Sequence, residues 1–118
     1  MAGALAALGR HEEAIKEFAD VATRAGEGSL YGRMARLGQA ETQVRAGQLD
    51  PAIATYKALS EQTNSDLPID AILFELARAY VAKGDSAEAR KALNQIVEQH
   101  PNSPYLTDAR TELEGLKG

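Results

Sequence analysis

The sequence predicts an all-α fold of stacked helix pairs, and three observations carry that prediction. Glycines at positions 9, 47 and 84 recur at spacings of 38 and 37 residues. Each is followed five residues later by alanine (Ala14, Ala52, Ala89), then by a large apolar residue (Phe18, Tyr56, Leu93) and another (Val21, Leu59, Ile96). Around Gly84 the apolar residues keep helical spacing, with Leu73, Leu76, Ala77 and Tyr80 before it and Ala89 and Leu93 after it. That pattern reads as helix, tight turn, helix. Three such units in register are the signature of a helical repeat array, in which each hairpin buries its apolar face only against a neighbour.

Each element follows in order. Residues 1–8 read as the tail of a first helix, and Gly9-Arg10 as its turn. His11 to Thr23 is amphipathic, with Ala14, Ile15, Phe18 and Val21 expected inward and Glu12 paired with Lys16 at i,i+4. Glu12, Glu13, Glu17 and Asp20 read as a solvated helix face rather than a carboxylate cluster. Ala25-Gly-Glu-Gly28 breaks the helix. It lacks the preceding strand and the Gly-Lys-Ser/Thr of a phosphate loop, so it reads as a turn. Ser29 caps a helix over 29–46. Gly47 turns the chain, and Asp50-Pro51 opens a helix over 50–62, since proline suits a first helical turn. Asn64 to Pro68 is the next loop. Helices over 68–83 and 86–100 flank Gly84, with Asp85-x-x-Glu88 as a capping box. His100 sits at a helix end, where it interacts favourably with the dipole. Ser103-Pro104 starts a closing helix over 104–117, with Ala109, Leu113 and Leu116 on one side.

Composition narrows the function classes. A chain of 118 residues is one domain by size. The net charge is −4 and no basic stripe appears, which argues against nucleic acid as a partner. With no cysteine there is neither a disulfide nor a thiolate metal site. No apolar run is long enough to span a membrane. Met1 to Leu8 is apolar but lacks the basic start of a signal peptide, and because it falls mid-motif Met1 reads as the edge of a fragment. The two histidines stand far apart in the sequence, no nucleophile elbow occurs, and the acids occupy capping and surface positions. A non-enzyme without cofactor or metal is expected.

The unit resembles the tetratricopeptide repeat (TPR), on Leu73, Leu76, Ala77, Tyr80, Ala89, Leu93 and Pro101. Leu73, Ala77 and Leu93 replace the usual Trp, Gly and Phe. The middle repeat fits less well, with Arg36, Gln39 and Gln43 in its first helix. The resemblance implies a right-handed superhelix of about 2.5 repeats. Its parts would be a truncated repeat over 1–28, repeats over 29–66 and 67–102, and a capping helix over 103–118. It also implies that Ala35, Gln39, Ala40 and Gln43 pack inward. A concave partner-binding groove would then be lined by Met34, Leu37, Glu41, Val44, Arg45, Phe74, Arg78 and Val81.

Burying a large apolar side chain is worth roughly 1.5–3 kcal/mol. Five left wet would forgo roughly 10 kcal/mol, comparable to the roughly 5–15 kcal/mol that holds a whole domain together. Three covers are open: a helical or extended partner segment held by Arg45 and Arg78, a second copy of the chain, or a helix phase that makes these residues core. The expectation is a protein-interaction scaffold, with a self-assembling module as the alternative. The closing segment Glu98 to Tyr105 resembles bacterial envelope TPR domains, of the ancillary SecYEG translocon subunit and Tol-Pal coordinator types. That likeness implies a periplasmic or envelope-associated location, with any anchor outside this stretch; a cytoplasmic location is the alternative.

Overall fold

The computed structural model describes residues 2–62 and 66–116, with side chains from Gly9 onward. Six helices follow one another, and no strand occurs among the described residues: α1 (Ala2–Ala25), α2 (Leu30–Arg45), α3 (Leu49–Ser60), α4 (Ile69–Lys83), α5 (Ser86–Gln99) and α6 (Leu106–Gly115). They form two compact units, Met1–Thr55 and Tyr56–Gly118, whose boundary falls inside α3. The all-α repeat fold is as the sequence predicts. Of the loop expected over Asn64–Pro68, residues 64 and 65 lie outside the described residues.

In the first unit α2 packs on α1. The turn between them is built on Gly26, whose φ of 93° is the left-handed conformation that glycine adopts at little cost. The Gly26 carbonyl accepts from the Ser29 amide at 3.0 Å and the Ser29 hydroxyl at 2.7 Å. The same hydroxyl oxygen accepts from the Gly32 amide at 3.0 Å, so Ser29 is the N-cap of α2, as expected. Two glycines of α2 allow close approach. A Cβ on Gly32 would stand 2.0 Å from the Gly26 carbonyl oxygen, and one on Gly38 would stand 2.6 Å from the Phe18 ring.

The turns at Gly47 and Gly84 have one structure. Both glycines are left-handed, at φ 81° and 91°. The residue after each donates back five positions, Gln48 to the Gln43 carbonyl at 2.8 Å and Asp85 to the Tyr80 carbonyl at 2.9 Å. This is the glycine stop of a helix C-terminus. Asp85 then caps α5 by accepting from the Glu88 amide at 3.2 Å. Glu88 does not complete a reciprocal box: the Asp85 amide is taken by Tyr80, and the Glu88 carboxylate meets Lys91 at 3.0 Å.

Gly9 does not turn. It lies inside α1, which runs unbroken for 24 residues. A lone glycine in a helix interior costs about 1 kcal/mol relative to alanine. Turning at Gly9 would sacrifice several helical hydrogen bonds, and helix formers lie on both sides. The first repeat therefore has no hairpin in this structure, and its register shifts. Val21 is 48% exposed, while Ala22 is buried in its place. Glu12 accepts from the Gln48 amide nitrogen Nε2 across the unit, where a bond to Lys16 was expected.

In the second unit α5 packs on both α4 and α6. Ile72, Leu73, Leu93 and Ile96 are its fully buried large side chains apart from Tyr56. The closing helix is tied down at both ends. Ser103 just before it donates to Asp70 Oδ2 of α4 at 2.6 Å, and Arg90 of α5 donates to the Leu116 carbonyl at 3.0 Å.

Candidate interaction surfaces

α2 presents two faces. Ala35, Gln39, Ala40, Thr42 and Gln43 are buried, which places the packing positions where the sequence puts them. Polar side chains on that face need partners. Gln39 Oε1 accepts from Arg36 at 2.7 Å, whereas Gln43 Oε1 is buried with no partner among the described residues. Arg36 also reaches back to Glu27 in the turn, donating to both carboxylate oxygens. Its guanidinium draws the Glu27 carboxyl below the usual carboxylate range, and Arg36 is raised in return.

The opposite face of α2 carries the residues expected to meet a partner. Met34 is 51% exposed, Glu41 and Arg45 are exposed, and Leu37 and Val44 are half-buried. Tyr31 is the most open large side chain there at 75%, beside Leu30 at 38%. Tyr31 is not among the residues that the repeat pattern assigns to a groove; it follows Leu30, which with Met34 and Leu37 makes a stripe at i, i+4, i+7.

On α4 of the second unit the expected residues divide. Arg78 is exposed and Val81 is 40% exposed, but Phe74 is only 7% exposed. Expecting Phe74 to be wet was an error. Tyr105 covers it, the two rings standing 5.2 Å apart at 35°, a favourable tilted aromatic pair. The Arg78 guanidinium lies 6.0 Å from the Phe74 ring centre, at the limit of cation–π range.

Arg78 and Val81 instead line a cleft of about 260 Å³ that runs from α4 to α6. Ala77, Ala82 and Leu93 complete its apolar wall, and Glu112 of α6 faces it. Glu112 was not among the expected site residues, since the closing helix has no partner position in the repeat pattern. A larger, polar cleft of about 370 Å³ lies at the other end of the unit and holds Asp70, His100 and Ser103. Among the described residues no three His, Cys, Asp or Glu side chains gather in a way that could hold a metal ion.

α2 and α4 thus each pack on a neighbouring helix of their own unit and leave Met34 and Val81 open. Tetratricopeptide repeat models match residues 34–62 and 71–103, more than half of the chain. The chain belongs to the tetratricopeptide repeat family. No curated protein and no solved structure matched it. TPR proteins generally mediate protein–protein interaction and are typically non-catalytic scaffolds. The first matched stretch begins at Met34 and takes in Leu37, Glu41, Val44 and Arg45; the second takes in Phe74, Arg78 and Val81.

Proposed function

We propose that this TPR protein is a non-catalytic scaffold that binds a helical or extended segment of a partner protein. The cleft between α4 and α6 carries the reading. Its wall is apolar, and Arg78 and Glu112 stand at it with opposite charge. An apolar slot orders a partner's side chains, and the flanking charges fix the direction of its backbone or its own charged groups. On the first unit Met34, Leu37 and Val44, flanked by Glu41 and Arg45, offer a second apolar face of similar chemistry. The envelope setting, in assembly or translocation, rests on the likeness of Glu98 to Tyr105 to envelope TPR domains.

Selection of peptide binders from a displayed library tests this. Val81→Asp and Arg78→Glu should each weaken the selected peptides at least tenfold while leaving the helical circular dichroism unchanged. Peptides that bind both variants as tightly as the parent would refute the cleft as the site.

A second reading has its own observation. Leu30, Tyr31 and Met34 form an exposed apolar group on α2, which suits self-association. Light scattering over a wide concentration range separates the two. A stable dimer abolished by Tyr31→Glu supports self-assembly, and a monomer throughout removes it.

A further inference from the structure

We propose that α6 is the movable jaw of the α4–α6 cleft: it pivots at its N-terminal end, and the swing of its C-terminal end admits the partner segment. The inference rests on the reading of that cleft as the binding site. As it stands, the cleft holds about 260 Å³. That is below the roughly 300–1,000 Å³ of a pocket for a drug-sized ligand, and a helix with its side chains is about 10–12 Å across. The closed cleft therefore takes a side chain, and a wall must yield before a segment can lie in it.

α6 is the wall that yields at least cost. Seven residues of α4 and four of α5 are buried, whereas in α6 the buried residue is Ala109. Moving α4 or α5 breaks the core of the unit, and tilting α6 uncovers little of it. The two ends of α6 are also held differently. At the N-terminal end the bond from the Ser103 hydroxyl to Asp70 is part-buried, and the Tyr105 ring lies on the buried Phe74. At the C-terminal end the bond from Arg90 to the Leu116 carbonyl is exposed; Glu114, which is engaged as well, is an exposed residue. Water substitutes readily for contacts of that kind, so the C-terminal end is the one that lets go. Glu112, the cleft-facing residue of α6, stands in that half of the helix. A swing about Tyr105 thus widens the slot between Arg78 and Glu112 while the pivot stays packed. Arg90, outside the cleft lining, is the positioning residue that holds the jaw shut.

Spin labelling tests this on the full chain, which has no cysteine of its own. Nitroxides go on Ser86→Cys of α5 and Thr111→Cys of α6, both exposed and both outside the cleft lining, in protein diluted with unlabelled chain. Ser86 lies one turn from Arg90 on the same face of α5, so release of the Arg90 bond lengthens this distance. A swing of about 30° carries Thr111, about 9 Å along the helix from Tyr105, through about 5 Å. The parent should give a main distance and a minor component up to about 5 Å longer. Arg90→Ala combined with Glu114→Ala should raise the longer component at least threefold with the helical circular dichroism unchanged, and the selected peptides should associate at least threefold faster. A single distance, a longer component that the double variant leaves unraised, or an unchanged association rate overturns the proposal. The labels read the jaw without any ligand, so that result is separate from whether the selected peptides depend on Arg78 and Val81.

Discussion

Replacing Gly9 with alanine should stabilise the first unit, and the reasoning can be followed to a number. The substitution adds one methyl group at a position with nothing within 4 Å, so it meets no clash. Gly9 sits in the interior of α1, where alanine gains about 0.8–1 kcal/mol over glycine. The expectation is about 0.8–1 kcal/mol, or a rise of about 2–6 °C in the melting temperature for a chain of this size. Thermal and urea unfolding followed by far-ultraviolet circular dichroism give both values. The informative contrast is Gly84→Ala, where φ is 91° and the same methyl should cost about 1–2 kcal/mol. If Gly9→Ala lowers the melting temperature as Gly84→Ala does, then Gly9 is a turn in solution and the unbroken α1 is wrong.

Other changes have equally definite outcomes. Gly32→Ala should destabilise by about 1–3 kcal/mol despite its better helix propensity, because the new Cβ meets a backbone carbonyl that cannot rotate away; urea midpoints check it. Leu93→Ala should cost about 2–5 kcal/mol, since Leu93 is fully buried beneath the α4–α6 cleft; a urea-midpoint loss below 1 kcal/mol would mean the unit collapses to fill the space. Glu27→Gln should lower stability at pH 7 by no more than about 0.5–1 kcal/mol, because the Glu27 carboxylate is more than half exposed and water screens its pair with Arg36. The folded carboxyl titrates below its ordinary 4.5, so the pair's contribution is present above that pH and lost as pH falls through the lower folded value. Parent and variant should therefore converge in acid, and a gap that persists at low pH would show that the loss was not electrostatic.

Much of this was legible in the chain itself. The turns at Gly47 and Gly84, the caps at Ser29 and Asp85 and the buried face of α2 all follow from local signals that the structure leaves intact. Gly9 shows where such signals stop. Its flanking residues match those of Gly47 and Gly84, yet a glycine turns a helix only when enough packing rewards the break. That reward depends on what lies against α1, which no local pattern records. Val21 was misplaced by one position, its neighbour Ala22 being buried instead. Phe74 failed differently. The repeat pattern puts it on an open face, but Tyr105, 31 residues further on, covers it from a segment outside the repeat. The cleft's Glu112 was invisible for the same cause.

The buried glutamines of α2 have a consequence for how the molecule breathes. When an apolar face opens to water it loses its main stabilisation. When Gln39, Thr42 and Gln43 open, water replaces the bonds that Gln39 and Thr42 make in the fold, and Gln43 Oε1 gains a partner that it lacks among the described residues. Opening α2 is therefore cheaper per residue than opening α4, whose buried face is wholly apolar apart from the Tyr80 hydroxyl. Backbone amides of α2 should trade their protons for deuterium well before those of α4. A protease would accordingly find its first foothold in the first unit, while the second is still shut.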